Sequence, residues 1–319
     1  MMDRRNFIKN ATGAGAALYL SNPAFGHASS LIFNSSRLFK ISLNPFSIGA
    51  TLNQKDLLKA AVDNGFEAIL PIPTELAEMS SDQKTEFLGQ MKKDKITWDA
   101  AGLPVDFRKG DELFNQGLAD LPRLAKALKD CGVSRMSTWI MPTDQELTYL
   151  ENFDRHARRL KKITDVISDY GLKLGLEYVG PKTLTSLHKY PFISSMKEAF
   201  ELIDKIGVKN LGIQLDSFHW YCAEETVADI ESLTNDQIVT CDLNDATAGR
   251  SVAEQIDGER ELPGDSGVID LSAFLQALIK IGYNGPVRAE PFNAKLNNME
   301  NMDAIRATFK AMHSTINKI

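Results

Sequence analysis

The chain is short of cysteine, of positive charge and of long apolar runs, and each shortage removes a class of function. Its three cysteines, Cys131, Cys222 and Cys241, have neither the paired spacing of a zinc site nor that of a redox motif. They read as core residues. An odd count would leave at least one thiol free in an oxidising compartment. The formal net charge is −6, and no basic face is apparent, which disfavours a nucleic-acid partner. The basic run "RHARRLKK", Arg155 to Lys162, falls at helical spacing and reads as a solvated helix face. No stretch approaches the ~20 apolar residues of a membrane span, so no stable membrane anchor is expected. No glycine-rich G-x-G-x-x-G turn follows the first apolar run, which weakens a dinucleotide-binding reading.

What is present is ordinary globular material, 319 residues of which 43% are hydrophobic and 24% charged, enough for one large domain. The first residues stand apart. Arg4 and Arg5 precede Phe7, Ile8 and Lys9, and a mild Ala/Gly/Leu segment runs from Ala11 to Leu20. Gly26 and Ala28 then supply the small residues that a signal peptidase requires. The segment resembles a twin-arginine export signal, which carries folded proteins, often with a cofactor already loaded. Residues 1–28 are expected to be removed, leaving 29–319 as the mature domain in the periplasm. Loss of Arg4, Arg5, Lys9 and Asp3, a net +2, takes the chain from −6 to −8.

From Phe39 a strand-then-helix pattern repeats eight times. "FKISLN", "FEAILPIP", "ITWDAAGLP", "VSRMSTWIMP", "LKLGLEYVGP", "LGIQLDSFHW", "QIVTCDLNDA" and "GPVRAEPF" are apolar runs, each followed by a helical period. The predicted helices include Asp82 to Lys95, Asp111 to Asp130, Leu147 to Tyr170, Ser195 to Ile206, a short one at Glu225 to Leu233 and a last one at Met299 to His313. Non-alternating strands that take turns with helices argue for a parallel sheet covered on both faces. Eight units in ~280 residues suit a closed α/β barrel, the (β/α)8 TIM fold.

Such a barrel carries its chemistry at the carboxyl ends of its strands. Strand five ends in Glu177, strand six in Asp216, strand seven in Asp242 with Asn244 and Asp245, and strand eight in Glu290. A single polar strand end is unremarkable, because strands turn into solvent there. Four adjacent carboxylates would repel one another in a half-buried mouth unless a cation sat among them, which points to a divalent metal site.

The segments "LGLEYVGPKT", "IQLDSFHWY", "RELPGDSGVID" and "IGYNGPVRAEPF" resemble the xylose isomerase-like TIM barrels of the sugar phosphate isomerase/epimerase family, especially its exported branch. The resemblance implies a metal held by Glu177, Asp216, the strand-seven residue and Glu290. The family has histidine at that third place and this chain has Asp242. A four-carboxylate, all-oxygen set favours Mn²⁺ or Mg²⁺, with Ca²⁺ also suited, over zinc. The resemblance further implies proton abstraction next to a carbonyl, with Glu177 and Glu290 as acid/base groups as well as ligands. His219, one helical turn after Asp216, Lys182 and His188 in the loop after strand five, Arg260 in the long loop after strand seven, and Trp139 at the end of strand four are candidate substrate contacts. Trp220 is a second candidate for a flat wall against a sugar face. The abasic-site endonucleases of the superfamily use a multi-histidine zinc cluster, and five histidines in the whole chain disfavour that function.

The expectation is therefore a metal-dependent isomerase or epimerase acting on a small carbohydrate. A lyase or hydratase on 3-keto-glycosides shares its first step, and a non-catalytic sugar- or metal-binding barrel is the third reading, prompted by Asp242. The sequence does not decide between a monomer and a homo-oligomer.

Overall fold

Helices form where the sequence caps them. In the computed structural model, which describes residues 37–319, the Asn53 side chain accepts from the Asp56 amide at 2.9 Å to open the helix Gln54–Asn64. Gly65 closes that helix at φ +87°, and a Cβ there would come within 3.0 Å of the Phe309 ring. The helix Asp111–Asp130 has the predicted bounds. The expected helix Leu147 to Tyr170 is Tyr149–Ser168, and the last one is Asn301–Ile316. The proposed export segment, residues 1–28, lies outside the described residues.

The strands are β1 Lys40–Leu43, β2 Ala68–Ile69, β3 Thr97–Trp98, β4 Ala101–Gly102, β5 Arg135–Trp139, β6 Thr143–Asp144, β7 Lys173–Glu177, β8 Tyr190–Pro191, β9 Leu211–Asp216, β10 Ile238–Asp242 and β11 Pro286–Arg288. Nine of them form one sheet in the order β3-β2-β1-β11-β10-β9-β7-β5-β4, with every pair parallel. Its two end strands, β3 and β4, are separated in the chain only by Asp99 and Ala100. They are two halves of one strand, so the sheet curls and closes through it as a TIM barrel of eight strand positions. The fifth to eighth positions are β7, β9, β10 and β11. A small antiparallel ribbon, β6 with β8, joins the loops after the fourth and fifth positions.

All residues of β9, β10 and β11 are buried, as expected where helices cover the outside and side chains fill the inside. The filling here is unusually polar. While the alternate residues Ile41, Leu176 and Leu215 are buried on the helix-facing side, Ser42, Asp99, Gln214, Thr240, Asp242 and Arg288 are all shut from solvent. Each therefore needs a partner, and those partners define the site.

Two local expectations change. After the sixth strand position there are two short helices rather than one, Ser217–Cys222 and Val227–Glu231. The first starts directly off β9 because the Asp216 side chain accepts the Phe218 amide at 2.6 Å. The basic run Arg155 to Lys162 is only partly solvated. His156 and Arg159 share a face with Leu160 and Ile163 and are buried, and Arg159 donates to the Phe107 carbonyl at 2.7 Å. The three cysteines are buried, as expected of core residues, and all three are free.

Candidate active site at the strand ends

Strand register sets the site. Asp216 on β9 stands opposite Asp242 on β10, and Asp242 opposite Arg288 on β11. Trp139 on β5 stands opposite Glu177 on β7. Glu290 follows Arg288 by two residues, just past the end of β11. Glu177, Asp216, Asp242 and Glu290 thereby converge, each offering a carboxylate oxygen within 4.8 Å of the others. Glu177, Asp216 and His219 form a second, overlapping group by the same measure.

The cluster sits at the floor of a cavity of about 550 Å³. Glu177, Gln214, His219, Arg288 and Glu290 line its polar end, and Phe46 and Trp139 its rim. Both rim residues are exposed, at 54% and 43%. The Arg108 guanidinium packs over the Trp139 ring at 4.3 Å and leaves its other face for the cavity.

Arg260 comes from the long loop after β10. Instead of reaching over the rim, it is buried at the base, between the Phe218 and Phe292 rings at 4.9 Å each. Its Nη1 donates to Asp216 Oδ2 at 2.8 Å, and its Nη2 donates to Asp257 Oδ1 at 2.7 Å and to His219 Nε2 at 3.2 Å. A guanidinium can only donate, so His219 Nε2 is the acceptor in that contact. Burial and then the Arg260 charge hold the His219 pKa down to about 3, and the ring is neutral. Gly180 lets the loop after β7 lie against this turn, since a Cβ there would sit 2.5 Å from the His219 carbonyl.

Two further groups lock the aspartates. Asn244 Nδ2 donates to both oxygens of Asp216, at 3.2 and 3.1 Å, and its Oδ1 accepts the Glu290 amide at 2.7 Å. Gln214 Nε2 bridges Glu177 Oε1 and Asp242 Oδ2, both at 2.7 Å. Asp245 accepts from the amides of Ala246, Gly267 and Ile269 and ties down the long loop that delivers Arg260.

Charge is out of balance. Among the described residues, Glu177, Asp216, Asp242, Glu290, Asp257 and Asp99 face only Arg260 and Arg288. Burial first, and then Glu290, Asp216 and Asp242, push the Glu177 carboxyl well above the usual range. Burial and then Asp242 push Glu290 up to about 8, and burial raises Asp242 to about 6 against the pull of Arg288. An all-carboxylate cluster with excess negative charge is what a hard divalent cation fits. Glu177, Glu290 and Asp216 could hold one. Asp242 is near enough, although each of its oxygens already accepts a hydrogen bond at 2.7 Å.

Three expected contacts lie elsewhere. Lys182 is exposed and paired with Glu224 at 2.5 Å. His188 is exposed beside a separate small cavity that includes His156. Both belong to the loop after β7, which lines the cavity with Val179 and Leu184 but not with these two side chains. Trp220 is buried against Phe274, and its Nε1 donates to the Thr226 carbonyl, so it packs the outer layer. Sequence reasoning missed Gln214, Asp99, Arg288 and Asp257, and placed Asn244 at the end of strand seven without giving it a role. Asp99 stands at the end of the third strand run, and the strand-end rule extended two strands back would have found it. A glutamine and an arginine within otherwise apolar strands were the signals for the other two lumen residues.

A family model, the xylose isomerase-like TIM barrel, matches residues 58–314. The inosose isomerase of Bacillus subtilis is 25% identical over 215 residues, covering 67% of this chain and 74% of that protein. The ketose 3-epimerase of Arthrobacter globiformis is 26% identical over 195 residues, 60% of this chain and 59% of that one. Among solved structures, a xylose isomerase domain protein from Alicyclobacillus acidocaldarius superposes with a TM-score of 0.76 at 25% identity, covering 88% of this chain and 98% of the other. With relatives of these kinds the protein is an enzyme, of an isomerase, epimerase or dehydratase type. The chain belongs to the xylose isomerase-like TIM barrel family.

Proposed function

We propose that the protein is a metal-dependent isomerase or epimerase that moves a proton at the carbon next to the carbonyl of a polyhydroxy ketone. The observation that carries this reading is the pairing of Glu177 with Glu290. In a cluster whose aspartates are tied to arginines, these two carboxyls keep oxygens turned to the cavity, and both are held above the usual carboxylate range. Such groups take up and return protons near neutral pH. The relatives named as inosose and ketose enzymes act on compounds of this chemistry.

A divalent ion bound by Glu177, Asp216 and Glu290 would polarise the ketone and its neighbouring hydroxyl. The chain's own residues do the rest. Arg260 and Asn244 hold Asp216 in place, and Gln214 orients Glu177. His219, a neutral acceptor at Nε2, shares Arg260 with the cluster. Trp139 offers a ring face at the rim. One glutamate, ionised, removes the proton, and the other, protonated, delivers its own to the opposite face for epimerisation.

A lyase acting on 3-keto-glycosides is the second reading. It is favoured by a cavity of about 550 Å³ with Phe46 and Trp139 exposed at its edge, more room than one sugar ring needs. The twin-arginine-like segment supports a periplasmic location for either activity, with 29–319 as the mature enzyme. The test is incubation in D₂O with a panel of ketohexoses, inososes and 3-keto-glycosides, with Mn²⁺ or EDTA. Deuterium incorporation next to the carbonyl, lost in Glu177→Gln and Glu290→Gln, is the expected result; aglycone release would select the lyase. Metal binding without exchange or cleavage of any of these compounds would leave a binding barrel instead.

A further inference from the structure

Asp242 stands where the family carries a histidine ligand, and the structure gives it other work. Its Oδ1 accepts from Arg288 Nε at 2.7 Å, and its Oδ2 from Arg288 Nη2 at 3.3 Å and from Gln214 Nε2 at 2.7 Å. Both side chains are buried, on adjacent strands in register. The carboxylate meets one edge of the guanidinium in the two-point geometry that fixes its plane. A neutral imidazole at 242 could not balance a buried guanidinium. The aspartate and the arginine are thus one unit.

The other edge of that guanidinium is free for a ligand. Arg288 lines the cavity. Among the described residues no acceptor lies within hydrogen-bond distance of its Nη1, and the carboxylate oxygen of Asp99 is 3.8 Å away. Asp99 is held in its own bonds, to Ser42 Oγ at 2.6 Å, Thr240 Oγ1 at 3.0 Å and the Ala100 amide at 2.5 Å. Glu290 lies two residues further on, just past the end of the strand, and lines the same cavity.

We propose that Asp242 is not a metal ligand but the anchor of Arg288, and that Arg288 Nη1 is an oxyanion-binding donor of the active site. The substrate class is an α-hydroxyketone. When a glutamate takes the proton, the C–H electron pair forms the C=C bond, and the carbonyl π pair moves onto oxygen. Arg288 donates to the oxygen that receives it, or to its enediolate neighbour. This positive charge is fixed by the chain, and the metal is left to Glu177, Asp216 and Glu290. The inference rests on the proton-transfer reading above.

The experiment has two arms, neither of which requires a known substrate. In the first, Mn²⁺ binding is measured by calorimetry for the wild type, Asp242→Asn and Glu177→Gln. Asp242→Asn is expected to stay within about threefold of the wild type, while Glu177→Gln weakens binding by more than about tenfold. In the second, EDTA-treated protein is titrated with glycolohydroxamate, a planar mimic of an enediolate. Arg288→Lys, which keeps a charge for Asp242, is expected to weaken binding about tenfold by losing the two-edged geometry. The double variant Asp242→Asn/Arg288→Gln removes both charges together and protects the fold; it should retain Mn²⁺ and lose the hydroxamate. Loss of Mn²⁺ in Asp242→Asn equal to that in Glu177→Gln would overturn the assignment, and so would hydroxamate binding indifferent to both Arg288 changes. Indifference of Mn²⁺ binding to Glu177→Gln would instead defeat the metal reading and leave the second arm to decide Arg288.

Discussion

Arg260 Nη1 lies 2.8 Å from Asp216 Oδ2, both side chains fully buried, although 44 residues separate them in the chain. The loop after β10 is therefore fastened to the end of β9 by an ion pair without solvent. Burial alone would lower the arginine's pKa, and Asp216 and Asp257 more than reverse that. Removing the guanidinium leaves Asp216 and Asp257 uncompensated. Arg260→Met should cost about 3–5 kcal/mol of stability, because a broken buried pair strands a charge. Urea unfolding measures this, and a loss below about 1 kcal/mol would show that solvent reaches the pair.

His156 gives the pH dependence a sign. Its Nδ1 faces the Asn152 carbonyl at 2.9 Å, and burial holds its pKa down to about 4. In the unfolded chain it titrates near 6.5. Between these values the unfolded state binds more protons, so stability present above pH 6.5 is lost as the pH falls towards 4. The contribution is at most on the order of 3 kcal/mol. Comparing urea midpoints at pH 7 and 4.5, His156→Gln should show a smaller acid loss than the wild type; equal losses would mean the ring is protonated in place.

The eight strand runs were legible because parallel strands covered on both faces leave long apolar signatures, and helix stops such as Gly65 have a local cause. The four carboxylates were legible because a barrel's topology sends every strand end to one rim. Their partners were not. Arg260 is brought in by a loop whose path Asp245 fixes through three amides, and no periodicity encodes that path. Lys182 and His188 failed for the same reason, since this loop lines the cavity with Val179 and Leu184 and leaves those two side chains exposed elsewhere. The Asp242–Arg288 pair spans 46 residues and is visible only once strand order makes them neighbours.

Trp139 provides a reporter. Its ring is 43% exposed, with Arg108 over it at 4.3 Å. Stacking of a sugar or aglycone on it should change its emission, and Trp139→Ala should raise KM several-fold with kcat little altered, as uniform binding is lost. A fall in kcat with unchanged KM would place the ring in the chemistry instead.

The twin-arginine reading makes export depend on Arg4 and Arg5. Replacing Arg4 and Arg5 together by Lys should hold full-length precursor in the cytoplasm, read by fractionation and N-terminal mass. Unaltered export and processing of that variant would remove the twin-arginine reading.

Restoring the family's histidine tests how the floor of the site is built. Asp242→His alone would leave the Arg288 guanidinium buried without its carboxylate, 3.8 Å from an Asp99 already committed elsewhere. The expected cost is about 3–5 kcal/mol. Adding Arg288→Met removes the stranded charge while keeping a long side chain to fill its space, and most of that stability should return. The cluster then holds three carboxylates and an imidazole, a set that shifts preference towards Zn²⁺ or Co²⁺ over Mg²⁺. Urea unfolding of the single and double variants gives the first quantity, and competitive metal titration the second. Rescue by the second substitution means that the third ligand position and the strand-eight arginine must change together. If Asp242→His alone is as stable as the wild type and already prefers Zn²⁺, Arg288 does not depend on Asp242, and the aspartate regains its place among the ligands.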